Sequence, residues 1–183
     1  MKIGLISDTH TPSTGKEPPP QVAKAFQGVD LILHAGDIYH ISCIDWLEKI
    51  APVQAVEFGT LDHFHGDERV ASRRALELDG HAVGLVHDLN LRGMAEEPFP
   101  GYIAPHFPDG SLPPEVERFF GKKLDIVVFG HTHVALLEEH QGILFVNPGS
   151  PTLPNQQRKL GTVAILELTP EGPEVKIIEL AEL

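Results

Sequence analysis

One cysteine, fourteen basic residues against twenty-six acidic ones, and no apolar stretch of membrane-spanning length are the shortages that bound what this chain does. Cys43 cannot form an internal disulfide. Its setting, Ile-Ser-Cys-Ile-Asp-Trp-Leu, reads as a small buried apolar side chain rather than a reactive thiol. The formal charge of −12 argues against sequence-independent binding to long nucleic acids, an affinity that Lys and Arg supply by neutralising phosphates. No duplex partner is expected. No apolar run approaches the ~20 residues that span a bilayer, and the start, Met-Lys-Ile-Gly-Leu-Ile-Ser-Asp, moves straight into patterned sequence rather than a signal peptide. A cytoplasmic location with no membrane partner is therefore expected. No internal repeat or low-complexity tail is evident. The 183 residues, 42% of them hydrophobic, suit one domain over 1–183 with a sizeable core.

Apolar runs at Ile3 to Ser7, Leu31 to His34 and Val53 to Phe58 have the length of buried strands. Between them, Pro18 to Gly28 suits a short helix. Ser42 to Ile50 suits a second, with Ser42 as N-cap and Ile44, Leu47 and Ile50 on its apolar face. Three later pairs of runs flank Asp79-Gly80, Gln141-Gly142 and Pro170-Glu171-Gly172, and read as hairpins. Pro114 to Phe120 reads as a helix and Leu124 to Phe129 as a strand. Residues 92–114 hold six prolines and three glycines and are expected to form a long loop, whose Phe99, Tyr102 and Phe107 would cover the site and choose the substrate. The pattern, βαβ units followed by hairpins, implies a mixed sheet or two packed sheets with helices outside.

The polar punctuation falls at strand ends. Strand one ends in Ser7-Asp8-Thr9-His10, strand two in His34-Ala35-Gly36-Asp37, and strand three in Phe58-Gly59-Thr60-Leu61-Asp62-His63. Two later strands end in His87-Asp88 and Gly130-His131-Thr132-His133. Carboxylate oxygen and imidazole nitrogen hold borderline divalent ions, and residues two apart in an extended segment point to one side. Asp8 with His10, and His131 with His133, would each grip one metal or face two. Asp37 is the candidate to bridge a pair of ions, because Gly36 lets the backbone turn closely against the cluster. Such a pair acidifies a water and clamps the oxygens of a phosphoryl group during in-line displacement.

The ordered set Asp8-x-His10, Gly36-Asp37, Gly59-x-x-Asp62, His87, Gly130-His131-Thr132-His133 and Asn147-Pro148-Gly149-Ser150 resembles the calcineurin-like metallophosphoesterase superfamily, and within it the small YfcE-like phosphodiesterases. The resemblance covers roughly residues 1 to 168. It implies an α/β fold, a four-layer αββα sandwich of two mixed β-sheets flanked by helices, and hydrolysis of a small phosphodiester by in-line attack of a metal-bridging hydroxide. It further implies that Asp8, His10, Asp37 and His133 hold a first metal and that Asp37, His87 and His131 hold a second, with Asp37, His87 and His131 acting in catalysis. The expected cofactors are two divalent ions, Mn²⁺ first, with Fe²⁺, Zn²⁺, Ni²⁺ or Co²⁺ as alternatives.

The sequence departs from that pattern in three places. Thr60 stands where the family has an Asn that ligates the second metal and touches phosphate; a weaker second site, reached through water, is expected. Leu61 stands where many members carry a leaving-group His, and it cannot donate a proton. Asp88, where Gly is usual, is a candidate carboxylate to orient His87, and Asp62 is a second candidate for such a supporting role. His63 and His65 read as solvated loop residues before ligands, His34 as a hydrogen-bonded core residue, and His40, His81, His106 and His140 as surface residues. Two other functions share the resemblance. One is a metal-binding interaction scaffold of the same fold, as in the retromer subunit, to which Thr60 points. The other is a phosphomonoesterase or nucleotide hydrolase. An oligomer is compatible with the sequence.

Overall fold

A computed structural model describes residues 1–91, 95–99, 102–107 and 110–183. The chain opens with β1 (Lys2–Ile6), α1 (Pro20–Ala25), β2 (Leu31–His34), α2 (Ile41–Glu48) and β3 (Val53–Val56). A short β4 (Val70–Ala71) precedes two hairpins, β5 (Arg73–Leu78) with β6 (His81–Val86), and β7 (Ala95–Phe99) with β8 (Tyr102–His106). Then follow α3 (Pro113–Phe120), β9 (Ile126–Val128), and the hairpins β10 (Ala135–His140) with β11 (Ile143–Pro148) and β12 (Thr162–Thr169) with β13 (Gly172–Glu179).

Two mixed sheets result, one of order β13-β12-β1-β2-β3-β4 and one of order β10-β11-β9-β6-β5. Each has a parallel triplet at its centre: β1, β2 and β3 in the first, β6, β9 and β11 in the second. These strands are buried along nearly their whole length, as parallel strands covered on both faces must be. The period of two divides them. In β1, Ile3 and Leu5 point between the sheets, where they meet Val83, Leu85, Val128 and Val146, while Ile6 points outward to Val22, Ile44 and Leu47 of α1 and α2. On the far side, Val116 of α3 packs on Val127, Phe129 and Phe145. The layers are therefore helix, sheet, sheet, helix. No helix among the described residues is long and apolar enough to cross a membrane.

Local chemistry explains the hairpins. Asp79 and Gly80, and Gln141 and Gly142, all have positive φ (49° and 84°; 52° and 79°), the two-residue turn that matches the twist of paired strands. Three expectations need correction. The N-cap of α2 is His40, not Ser42: the ring of His40, on the surface as expected, accepts from the Ser42 backbone N–H. The proline-rich 92–114 stretch is not an irregular loop, since its centre pairs as β7 and β8, with Pro98 and Pro105 sitting in a two-stranded ribbon whose outer edges pair with no further strand among the described residues. Phe107 does not cover the site. Its ring lies edge-on against Phe145 at 4.9 Å and beside His140 at 5.1 Å, so it anchors the ribbon to the core and half-buries His140. The side chains of Phe99, Tyr102 and His106 lie outside the described residues.

Phe145 joins β11 to both α3 and the ribbon anchor. Replacing it with Ala is expected to cost about 3–5 kcal/mol, seen as a lower urea midpoint with an unchanged slope.

Candidate metal centre

The carboxyl ends of the two parallel triplets open on the same edge of the sandwich, so the residues that follow β1, β2, β6 and β9 converge there. Asp8, His10, Asp37 and His133 offer ligand atoms that all lie within 4.8 Å of one another. The Nε2 atoms of His10 and His133 are 3.1 Å apart, with Asp37 Oδ2 3.3 Å from the first and Asp8 Oδ1 3.4 Å from the second. On the other side of Asp37, its Oδ1 lies 3.6 Å from His87 Nε2, and the His87 ring meets the His131 ring edge-on at 5.4 Å. One carboxylate thus turns one oxygen to each half of the cluster.

The far ring nitrogens fix which nitrogen faces inward. His133 Nδ1 donates to the Leu153 carbonyl at 3.1 Å and His87 Nδ1 to the Ala35 carbonyl at 2.8 Å, which turns each Nε2 toward the carboxylates. That backbone brace is what metal-ligating histidines commonly carry. It also removes the role expected for Asp88: both ring nitrogens of His87 have other partners, and Asp88 instead lines a cavity beside the ring. Asp62, His63 and His65 are exposed on a 3-10 turn, Leu61–Phe64, and its end. The Thr60 hydroxyl is buried with no hydrogen-bond partner among the described residues.

The backbone is not extended here. Asp8, His10, Asp37, His131 and His133 all have φ between 49° and 71°, the left-handed region that Asp and His tolerate at a cost. Asp8 and His10 reach a common point through tight turns rather than through strand alternation, whereas His133 joins that cluster and the His131 ring turns to His87. A closed network holds these turns. Asp8 N–H donates to Gly36 O and His10 N–H to Asp37 O; Gly130 N–H donates to His87 O; and His131 N–H donates to the Asp8 carboxylate at 3.1 Å. Asn147 Nδ2 donates to Gly130 O and to Thr132 Oγ1, Ser150 Oγ donates to Asp8 O, and Ser7 Oγ donates to the Asp8 carboxylate. The Asn147 to Ser150 turn therefore braces two ligand-bearing loops at once.

Glycine supplies the clearance. A Cβ on Gly36, at φ +96°, would lie 2.5 Å from the His87 ring, and one on Gly130 would lie 2.8 Å from Asp8 Oδ2.

Burial leaves the cluster short of charge stabilisation. It pushes the fully buried Asp8 carboxyl up to about 7, against the opposing pull of His87 and the Ser7 hydroxyl. Burial, reinforced by the facing His10, lowers His133 to about 4, and burial also lowers His10 despite Asp37. For His87 burial acts downward, but Asp8, Asp37 and the Ala35 carbonyl outweigh it and the net shift is upward. Neutral His10 and His133 are not ion-paired with the carboxylates they face. They are acceptors converging on one place, and the donor set, oxygen and nitrogen without sulfur, fits a hard or borderline divalent cation.

Other residues find structural roles. His34 is fully buried between Thr9 Oγ1 at 3.1 Å and the Gly36 N–H at 3.2 Å, as a core histidine should be. Cys43 is buried, its thiol pushed up to about 11, and inert. Two residues were missed by reading motifs. Glu57 is 1% exposed and accepts from the Ile38 N–H at 2.8 Å and the Phe58 N–H at 2.9 Å, fixing the loop that carries Asp37. The available signal was an acid ending the apolar run Val-Gln-Ala-Val. Tyr39, at φ 72°, sets its ring edge-on to His10 at 4.8 Å and carries no spacing signal at all.

Comparisons with known proteins agree with this geometry. The family model described as the calcineurin-like phosphoesterase superfamily domain matches residues 1–171. A probable metallophosphoesterase of Methanothermobacter thermautotrophicus is 35% identical over 180 residues, covering 97% of this chain and 92% of that protein. Among solved structures, wild-type Vps29 of Entamoeba histolytica complexed with zinc has a TM-score of 0.62 at 18% identity, covering 98% of this chain and 99% of that one. An archaeal phosphodiesterase has a TM-score of 0.62 at 20% identity, covering 97% and 100%.

Gly36→Ala tests the packing of the centre. The added methyl group costs about 1–2 kcal/mol at this φ and displaces the His87 ring, so Mn²⁺ affinity measured by titration calorimetry is expected to fall roughly 10- to 100-fold with the circular dichroism spectrum retained.

Proposed function

The chain belongs to the calcineurin-like phosphoesterase superfamily, and from that premise we propose that it is a dimetal phosphodiesterase acting on a small ester, with Mn²⁺ as its first-choice ion. In this reading Asp8, His10, Asp37 and His133 hold one ion, and Asp37, His87 and His131 the other. The observation that carries it is the division of Asp37, whose Oδ2 faces His10 at 3.3 Å and whose Oδ1 faces His87 at 3.6 Å. When bound, such a pair of ions supplies an acidified water and a clamp for the phosphoryl oxygens.

The chain's own groups do the rest. The Leu153 and Ala35 carbonyls hold His133 and His87 in the tautomer that presents Nε2 inward, so no proton has to leave Nε2 of His133 before it ligates. Glu57 and Asn147 fix the loops beneath Asp37 and His131. Leu61 leaves the leaving group without a nearby acid at that position, which suits esters with good leaving groups. The Thr60 hydroxyl, buried and without a hydrogen-bond partner among the described residues, donates to phosphate or water in place of a stronger amide ligand and weakens the second site. The archaeal phosphodiesterase of the same fold supports the diester over a monoester. The acidic surface supports a small substrate over duplex DNA.

Thr60 favours a second reading, a metal-binding interaction scaffold, and one assay separates the two. Initial rates on bis(p-nitrophenyl) phosphate are expected to need Mn²⁺, to vanish in chelator-treated protein, and to fall at least about 100-fold in Asp37→Asn. A protein that binds an ion tightly yet turns over no ester with any of several metals would support the scaffold.

A further inference from the structure

Beside the metal centre, on the His87 side, lies a cavity of about 330 Å³ whose walls include Phe58, Arg73, His87, Asp88, Asn90 and Phe119. Its size is at the lower end of small-molecule sites, and one wall is a proposed metal ligand, so a phosphate held at the centre would direct a substituent into it. The surfaces facing that substituent are aromatic and flat. Phe58 is 66% exposed, an unusual position for a phenyl ring, and the Arg73 guanidinium is stacked over Phe119 with its carbon 4.8 Å from the ring centroid. The polar groups are of the kind that read the edge of a ring. Asn90 brings an amide that donates and accepts, and Asp88 a carboxylate that accepts N–H.

We propose that this cavity binds a planar aromatic substituent of the substrate, a nucleobase or an aryl ring, stacked against Phe58 and the Arg73–Phe119 pair. The inference rests on the phosphoesterase reading for the position of the phosphate. It gives a function to Asp88, which does not orient His87, and to the exposed Phe58, which contributes nothing to the core. A stacked ring is worth enough to make the ligand bind roughly tenfold tighter than its ring-free counterpart.

The test is equilibrium binding to the Mn²⁺-loaded protein by titration calorimetry, with adenosine 5′-monophosphate, phenyl phosphate, ribose 5-phosphate and inorganic phosphate as probes. Adenosine monophosphate is expected to bind roughly tenfold tighter than ribose 5-phosphate, and Phe58→Ala to shrink that ratio to roughly threefold or less. Asn90→Ala separates the two kinds of ring: it weakens adenosine monophosphate alone if a base edge is read, and neither ligand if any aryl ring suffices. All four probes binding within roughly threefold of one another, or a preference untouched by Phe58→Ala, would overturn the proposal. Because the readout is binding, the two readings fail separately. A protein that hydrolyses nitrophenyl esters but shows no ring preference loses this inference alone, and an inert protein with the preference loses only the catalytic one.

Discussion

Carboxylate oxygens and imidazole nitrogens lie 3.1 to 3.6 Å apart at the mouth of this protein's two sheets, a crowd of acceptors with few protons to share. Everything around them serves to hold that arrangement. Five of the six proposed ligands sit on left-handed backbone, at a cost of about 1–3 kcal/mol each if the wells are sparsely populated. The turns persist because each is tied to another loop: Asp8 to Gly36 and His131, Gly130 to His87 and Asn147, and Ser150 back to Asp8. A divalent cation would supply the positive charge this crowd of acceptors lacks, and the same contacts would then stabilise the fold.

The sandwich follows from this need. Each parallel triplet supplies two of the four ligand-bearing loops, those after β1 and β2 and those after β6 and β9. Packing β1, β2 and β3 against β6, β9 and β11 brings two sets of carboxyl ends to one edge and seals the interior between them with Ile3, Leu5, Val83, Leu85 and Val128. The cavity beside His87 lies on the same edge, so binding of an ester's organic part and handling of its phosphate share one rigid frame.

Much of this was legible in the sequence, for physical reasons. Short apolar runs ending in Asp or His read as buried strands whose ends carry candidate ligands, and Asp79-Gly80 and Gln141-Gly142 specify their turns directly. What was not legible depends on packing between distant segments. Nothing near Asp88 reveals that the Ala35 carbonyl, 52 residues away in the chain, already holds His87. Nothing near His40 shows that its ring caps a helix, and the prolines of 92–114 hid a ribbon because a two-stranded sheet has edges where proline costs little. Glu57 was hidden for the opposite reason. Its role lies in backbone N–H groups, which carry no residue identity.

The central claim, that a cation is part of this structure, is tested most directly by thermal unfolding of Mn²⁺-loaded and chelator-treated protein, with ions per chain counted by native mass spectrometry. Saturating metal at about 100 times the dissociation constant adds about 2.7 kcal/mol per site, which for a chain of this size raises the midpoint by about 5–10 °C for each ion bound. Two ions per chain with that rise is the predicted result. Equal midpoints and no retained ion would contradict the account.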